Sequence, residues 1–595
     1  MSANTIQKDE HTTGRSKTQL TLRLLTYLNP YKHQTMIAVS LMIIAMLCGL
    51  VNPYLLGIAI NTYVKAKNIP GLLWIGVILL VLNIITWILS RIRFQMVAEI
   101  TNNILVNIRQ ELYTHIQKLS FNFFDSRPVG KILARVIGDV NALQNLFNQS
   151  IQSLIPELLT LVCSAMFMFL LNAKLALACI LMLPFLAGAM FYIEIVSRRR
   201  WDIHRKKRSN LNAFTHEDFS GIKVVQSFAK GCDTAVTFKG MVSELVDTFM
   251  HAVKLNDFLW PLVDLSWGVG IVIVFYVGYD LVRSGEIEIG TLLAFSMYVG
   301  MFWMPLMNLS NFYSTLITNF SSADRIFDIL DVTPDLTSHT HSPILDTIKG
   351  TVEFKNVDFS YDENSEVLRN VSFTVAPGER VALVGPTGAG KTTVVSLISR
   401  FYDPSAGEIL IDGKNIKEVD LESLRSQLGI MLQDTFLFSD TIMENIRYGK
   451  LDATNEEVIA AAKAVNAHDF IMKMEKGYDT EVNERGSRLS LGQRQLISFA
   501  RALLADPRIL ILDEATSNID TQTERLVQQG IEKLLSNRTS FVIAHRLSTI
   551  RDCDKIMVID NLRIKESGTH AELIKQKGSY YDLYIAQYRF LKEGA

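Results

Sequence analysis

The stretch Gly385-Pro386-Thr387-Gly388-Ala389-Gly390-Lys391-Thr392 fits the pattern G-x-x-x-x-G-K-[ST]. It follows directly on Val381-Ala382-Leu383-Val384, an apolar run that reads as a buried strand. Strand, glycine-rich loop and then helix is the context that a phosphate-binding loop requires. The glycines let the backbone curl so that its N–H groups point at an anion, and the following helix adds its positive end. Lys391 is placed to reach the β- and γ-phosphates of a nucleoside triphosphate, and the Thr392 hydroxyl to ligate Mg²⁺.

Three further signals follow in order. Ile509-Leu510-Ile511-Leu512 is a second buried-strand run and ends in Asp513-Glu514. An acid at the carboxyl end of a parallel strand sits where ligands bind in open α/β sheets. Leu489-Ser490-Leu491-Gly492-Gln493 lies between the two runs, and Ile543-Ala544-His545-Arg546 follows them. With Gln433 in Met431-Leu432-Gln433-Asp434 and with Ser517-Asn518-Ile519-Asp520, these motifs resemble the nucleotide-binding domain of an ATP-binding cassette (ABC) transporter. The resemblance spans residues 348–595.

That resemblance implies ATP and Mg²⁺ as cofactors and assigns roles. Tyr361, after the strand Val352–Ser360, would stack on adenine. Gly385, Pro386, Thr387, Gly388, Ala389, Gly390, Lys391, Thr392 and Thr393 would cradle the phosphates. Thr392 and Gln433, with Asp513 acting through water, would complete the metal shell. Glu514 would polarise the attacking water, and His545 would contact the γ-phosphate and that water, with Gln433 joining them in catalysis. Ser490, Gly492 and Gln493 would cover the ATP held by another cassette, so that one chain cannot complete a site. Leu491 departs from the usual LSGGQ at the first glycine. Glycine permits torsions and close approaches that leucine resists, which would weaken that half of the site, but Gly492-Gln493-Arg494-Gln495 is intact and the signature is expected to function.

The first half has another character. The chain is 49% apolar and 20% charged, with a net charge of −1 and a mean hydropathy of +0.20. Residues 36–64, 71–90, 175–193 and 289–323 contain no charged side chain, and the apolar runs 151–173 and 265–279 are interrupted or flanked by single acids. A bilayer span needs ~20 predominantly apolar residues, so six spans are expected. Lys and Arg concentrate in the connections between spans two and three and between spans four and five, the latter carrying Arg198, Arg199, Arg200, Arg205, Lys206, Lys207 and Arg208. The positive-inside rule then makes this a multi-pass protein of the cytoplasmic membrane with both termini in the cytosol. The same distribution argues against nucleic acid as a partner. Met1–Gln19 is polar and lacks a signal-peptide core, and reads as a disordered cytosolic tail. Leu20–Tyr31 reads as an amphipathic helix on the membrane face. The five cysteines show no paired or metal-ligand spacing.

Apolar periodicity through Ile104, Leu105, Ile108, Leu112, Ile116 and Leu119 carries the second span beyond the bilayer. Its tip, Phe123–Lys131, and a second tip, Glu217–Val225, resemble the coupling segments of ABC exporters. With this the resemblance covers nearly the whole chain. The expected fold is multidomain: an all-α transmembrane domain of six helices at 20–323, a linker at 324–347, and an α/β P-loop ATPase cassette at 348–595. An exporter half-transporter of this kind implies a second half-transporter as partner, in a homodimer or a heterodimer.

The substrate is less legible. Met297, Met301, Met304 and Asn308 share a helical face. Glu157, Asp257 and Asp264 are acids within or beside spans, where a carboxylate faces a cavity or a partner. ATP-driven export of hydrophobic or amphipathic compounds, drugs or lipids, is the leading expectation. A narrow-specificity peptide or lipid-precursor exporter and a non-transporting ATP-gated membrane sensor are the alternatives.

Overall fold

The computed structural model describes residues 15–593 except 182, 335, 337–342, 362–364, 432–434, 484, 485, 487, 514–520 and 544–549. They form two units: Met1–Gln117 with Val129–Val332, and Lys118–Pro128 with Thr333–Ala595.

The first unit is all helix. After α1 (Lys17–Thr26) come α2 (Lys32–Ile58) and α3 (Ile69–Lys118); α4 (Phe121–Asp125) belongs to the other unit. Then follow α5 (Val129–Ala134), α6 (Val140–Gln149), α7 (Ile155–Leu171), α8 (Ala173–Ile180), α9 (Leu183–Ser220), α10 (Ile222–Ser227), α11 (Gly231–Asn256), α12 (Leu259–Arg283) and α13 (Ile289–Leu330). Among the described residues, six helical stretches are long and apolar enough to cross a membrane. They coincide with the six runs expected from sequence. On α3, Leu73, Trp74, Leu80 and Trp87 are more than 60% exposed, a face suited to lipid rather than water. The 50 residues of α3 span about 75 Å at ~1.5 Å per residue, more than twice the ~30 Å hydrocarbon core. Its second half buries Val97, Ile100, Ile104, Ile108 and Leu112 at three- and four-residue spacing, as the periodicity predicts.

The core of this unit gathers around α13. Phe295, Tyr298, Val299, Phe302 and Trp303 pack with Leu50 of α2, Met168 of α7, Leu175 and Cys179 of α8, and Val263 and Val274 of α12. Polar groups in this setting need partners. Tyr298 donates to the Leu50 carbonyl at 2.5 Å, and Trp303 Nε1 donates to Ser266 Oγ at 3.1 Å. The aromatic residues near the methionine face are therefore packing residues, whereas Met297 and Met304 remain exposed. Glu157 is also partnered: Asn308 Nδ2 donates to its Oε1 at 2.5 Å, tying α7 to α13.

Two expected boundaries shift. Helix α1 begins at Lys17, inside the expected tail, because Ser16 and Gln19 form a capping box. Arg15 just before it pairs with Asp324, Asp328 and Asp331. Helix α13 runs to Leu330, seven residues into the expected linker. Its apolar face continues through Ala323, Ile326, Phe327 and Ile329, all at most 1% exposed, and that burial prolongs the helix.

The second unit is α/β. Its strands are β1 (Val352–Ser360), β2 (Glu366–Val375), β3 (Arg380–Val384), β4 (Ala406–Ile411), β5 (Lys414–Asn415), β6 (Leu428–Met431), β7 (Ile509–Asp513), β8 (Thr539–Ile543), β9 (Lys555–Asp560) and β10 (Arg563–Gly568). Its helices are α14 (Lys391–Ile398), α15 (Leu421–Arg425), α16 (Ile442–Arg447), α17 (Asn455–Ala464), α18 (His468–Met472), α19 (Leu491–Leu504) and α20 (Thr521–Leu535), before His570–Gln576 and Ser579–Glu593. An antiparallel sheet has the order β2-β1-β4-β5, and a second sheet the order β10-β9-β3-β8-β7-β6, parallel except for β10. Side chains of the second sheet alternate between two cores. Val381, Leu383, Ile509, Ile511, Phe541 and Ile543 enter one, while Ala382, Val384, Leu510, Leu512 and Val542 enter the other. A sheet covered on both faces needs unbroken apolar strands, which is why these segments read as continuous runs.

Candidate active site

The site is built at the carboxyl edge of the parallel strands. Pairing sets Leu383 of β3 and Asp513 of β7 on either side of Ile543 of β8, so the loop after β3 and the acid ending β7 share one edge. Loop residues Gly385–Gly390 run from β3 into α14. A Cβ on Gly385 would lie 2.2 Å from the Ile559 carbonyl oxygen, and Gly390, at φ +101°, caps α14 in the left-handed region. Both positions exclude a side chain and deliver the N-terminus of α14 to the loop.

Lys391, the first residue of α14, is buried. Its Nζ donates to the carbonyls of Gly385 at 2.8 Å and Pro386 at 2.9 Å. Burial lowers its pKa, and the nearby Asp513 carboxylate opposes that shift. One cation and one acid therefore lie within electrostatic reach of each other where the loop enters α14. Thr392 is exposed, with no hydrogen-bond partner among the described residues, whereas Thr393 is buried. Tyr361 follows β1 and shares a hydrogen bond with Thr393 Oγ1 at 3.1 Å. Its ring meets Phe359 edge-on at 4.8 Å and Tyr402 edge-on at 5.2 Å, and the residue stays 42% exposed. Burial holds its phenol above the ordinary range, against the lowering effect of the Thr393 bond.

Gln433, Glu514 and His545 lie outside the described residues, as do Ser517–Asp520. The strands that lead to the first three are described: β6 ends at Met431, β7 at Asp513 and β8 at Ile543. The donor set suits Mg²⁺, a hard cation held by one or two protein oxygens plus phosphate and water. The Thr392 hydroxyl and the Asp513 carboxylate are such oxygens. Among the described residues no cluster of three or more His, Cys, Asp or Glu forms a metal cage.

The signature segment caps a helix. Ser490 is the N-cap of α19; its side chain accepts from Gln493 N at 3.2 Å, while Gln493 Oε1 accepts from Ser490 N at 2.9 Å. Leu491 is the first helical residue and has no positive φ. The backbone at Leu491 is ordinary helix and uses no torsion reserved to glycine. The S-x-x-Q pattern that signals this capping box was open to view in the sequence.

The match to known families follows this division. Residues 35–306 match the ABC transporter transmembrane region, and residues 368–517 match the ABC transporter family. The uncharacterized ABC transporter ATP-binding protein YknV of Bacillus subtilis (strain 168) is 42% identical over 95% of this chain and 94% of its own length. The ATP-dependent lipid A-core flippase of Syntrophus aciditrophicus (strain SB) is 35% identical over 100% of this chain and 99% of its own length. A solved bacterial Atm1-family ABC exporter with ATP bound superposes with a TM-score of 0.79 at 29% identity, covering 93% of this chain and 98% of that one.

The chain is an ABC transporter of the exporter type. It is a multi-pass membrane protein that binds nucleotide and couples ATP hydrolysis to transport. Six spans among the described residues, followed by one cassette, are the architecture of an exporter half-transporter, which implies dimerisation.

In this transporter Leu491→Gly is expected to keep ATPase activity within about twofold, since glycine brings no torsion the helix uses and costs its first turn at most ~1 kcal/mol. ATPase rate and Tm of the purified chain measure both. A gain of tenfold or more would show that position 491 needs glycine after all. Sequence reasoning overlooked Tyr402, whose contacts with Tyr361 join distant segments and leave no periodic signal.

Proposed function

We propose that this transporter exports hydrophobic or amphipathic compounds, drugs or lipids, across the cytoplasmic membrane, with its termini and cassette in the cytosol. Lys391 and the loop amides hold the phosphates, Tyr361 stacks on adenine, and Thr392, Gln433 and Asp513 complete the Mg²⁺ shell. Glu514 activates the attacking water, and His545 contacts that water and the γ-phosphate. Lys391 folded against the phosphate-loop carbonyls, on the same sheet edge as the acid ending β7, carries this reading, because phosphoryl transfer depends mainly on positioning and charge neutralisation.

Ser490, Gly492 and Gln493 serve the nucleotide of a second chain. The tip around α10 supports a partner that covers it: Phe219, Val224 and Phe228 are each at least 60% exposed, unusual for a segment facing only water. Glu514 and His545 are both present, as a homodimer subunit or the competent member of a heterodimer requires.

Two relatives and an acid in the spans support this reading of the substrate class. One relative is named a lipid A-core flippase, and YgaD of Bacillus subtilis (strain 168), 37% identical over 95% of this chain, is assigned provisionally by its name to multidrug export. Glu157 has its partner in Asn308. Asp264 of α12 is exposed and has no hydrogen-bond or ion-pair partner among the described residues. A carboxylate in a low-dielectric setting favours a cationic guest. Asp264→Asn is therefore expected to reduce stimulation of ATPase by cationic amphiphiles while sparing neutral ones, with basal ATPase little changed. Glu157→Gln, which keeps an oxygen for Asn308, is the control. The assay uses the purified chain in lipid vesicles. Equal loss for cationic and neutral compounds, or no loss for either, would remove Asp264 from substrate selection.

A further inference from the structure

The turn Arg400-Phe401-Tyr402-Asp403 leads from α14 toward β4 and is held from both sides. Arg425 Nη2 donates to the Arg400 carbonyl at 2.7 Å, and Arg400, 3% exposed, donates through Nη1 to the Val419 carbonyl at 3.2 Å and pairs with Asp403. On this rigid turn Tyr402 reaches in two directions. Its ring lies edge-on to Tyr361 at 5.2 Å and 5.7 Å from Phe359. Its hydroxyl donates to the carboxylate of Asp125 on α4. Burial, together with that carboxylate, keeps the phenol protonated and so a donor. Beside it, Phe121 of α4 packs on Phe401 with centroids 4.3 Å apart, and the Arg425 guanidinium lies over the same Phe401 ring at 5.3 Å.

A continuous path results: Thr393 on the helix after the phosphate loop, Tyr361, Tyr402, then Asp125. Lys118–Pro128 stands in sequence between helices of the membrane unit yet groups with the cassette. It is also continuous with the 50-residue α3. We propose that Tyr402 is a positioning residue that couples base stacking on Tyr361 to the placement of α4. Tyr361 is tied by its hydroxyl to Thr393 and by its edge to Tyr402, so a base that orders the Tyr361 ring also orders the ring packed against it. The Tyr402 hydroxyl passes that constraint to Asp125. Coupling of this kind is reciprocal: whatever α4 gains from ATP, ATP gains from α4. The proposal rests on Tyr361 as the adenine platform.

The test uses the full-length transporter in lipid nanodiscs with ATP and EDTA, so that nucleotide binds without turnover. Amide hydrogen exchange of Phe121–Asp125 is followed alongside equilibrium affinity for ATP. In the parental chain, saturating ATP is expected to slow exchange in α4 by about fivefold or more, the lower range of allosteric couplings. Tyr402→Phe keeps the ring and deletes the hydroxyl; it should abolish that slowing at saturating ATP. Asp125→Ala should do the same and also weaken ATP binding by the same factor, although Asp125 does not line the phosphate loop. Asp125→Asn keeps an acceptor oxygen and should restore the response. The double variant Tyr402→Phe/Asp125→Ala should be no worse than either single one, as for two ends of one contact.

A parental chain without ATP-dependent protection in α4, or a Tyr402→Phe chain that retains it, overturns the proposal. Tyr361→Ala separates the two claims. If ATP affinity is unchanged by it, the platform reading fails. If affinity falls while Tyr402→Phe is silent, the platform stands and only the coupling is lost.

Discussion

Glu514→Gln is expected to leave ATP binding largely intact while lowering turnover by about 10²-fold or more, the range for loss of a positioned acid–base group. Strand β7 leads directly to this residue. Its residues Ile509–Leu512 are buried on both faces of the sheet, so the strand is a rigid rod whose end delivers Asp513 to the edge beside the phosphate loop. Glu514 is the next residue. The glutamine amide matches the carboxylate in shape but cannot take a proton from water or polarise it. The loop, Lys391 and α14 are untouched by the change, so the cradle for the triphosphate persists. Single-turnover and steady-state ATPase assays, with equilibrium binding of a labelled ATP analogue, measure both halves of the expectation. Turnover near the parental rate would remove Glu514 from the chemistry. In a heterodimer the partner's site is measured separately, for instance by pairing the variant with a partner disabled at its own site.

Lys391→Ala is expected to act earlier, on binding itself. The ammonium is buried and folded against the Gly385 and Pro386 carbonyls, one short swing from the phosphates the loop would hold. Hydrogen bonds to charged groups contribute about 1.5–3 kcal/mol, which corresponds to a loss of about 10- to 150-fold in ATP affinity. Turnover at fixed ATP falls with it. Titration with the labelled analogue reads the affinity, and thermal unfolding without nucleotide checks that the loop still folds. Unchanged affinity together with unchanged turnover would overturn the assignment of the phosphate loop. The contrast between the two variants, one weak in chemistry and one weak in binding, separates the roles assigned to the two residues.

The outlines of both units were legible because each is imposed by a solvent. Lipid demands about 20 apolar residues per span, and the charge-free runs meet that demand whatever their neighbours are. The central sheet is covered on both faces, so its strands had to be unbroken apolar runs, and the acid and the glycine loop follow them by a few residues. Helix ends were less legible. The capping pair Ser16 and Gln19 begins α1 inside a segment whose polarity suggested a tail. The buried face of Ile326, Phe327 and Ile329 carries α13 into what composition marks as linker.

By itself, then, the sequence determined the phosphate loop, the acid at the end of β7, the six spans and the order of the two units, because each depends on residues within about 20 positions of one another. Only the tertiary structure decided that Asn308 answers Glu157 from 151 residues away and that Asp125 meets Tyr402 across 277 residues. Such pairs leave no trace in local periodicity. They exist because the fold sets distant segments side by side, and a polar group drawn partly out of water bonds to whichever partner stands there, as Glu157 does with Asn308.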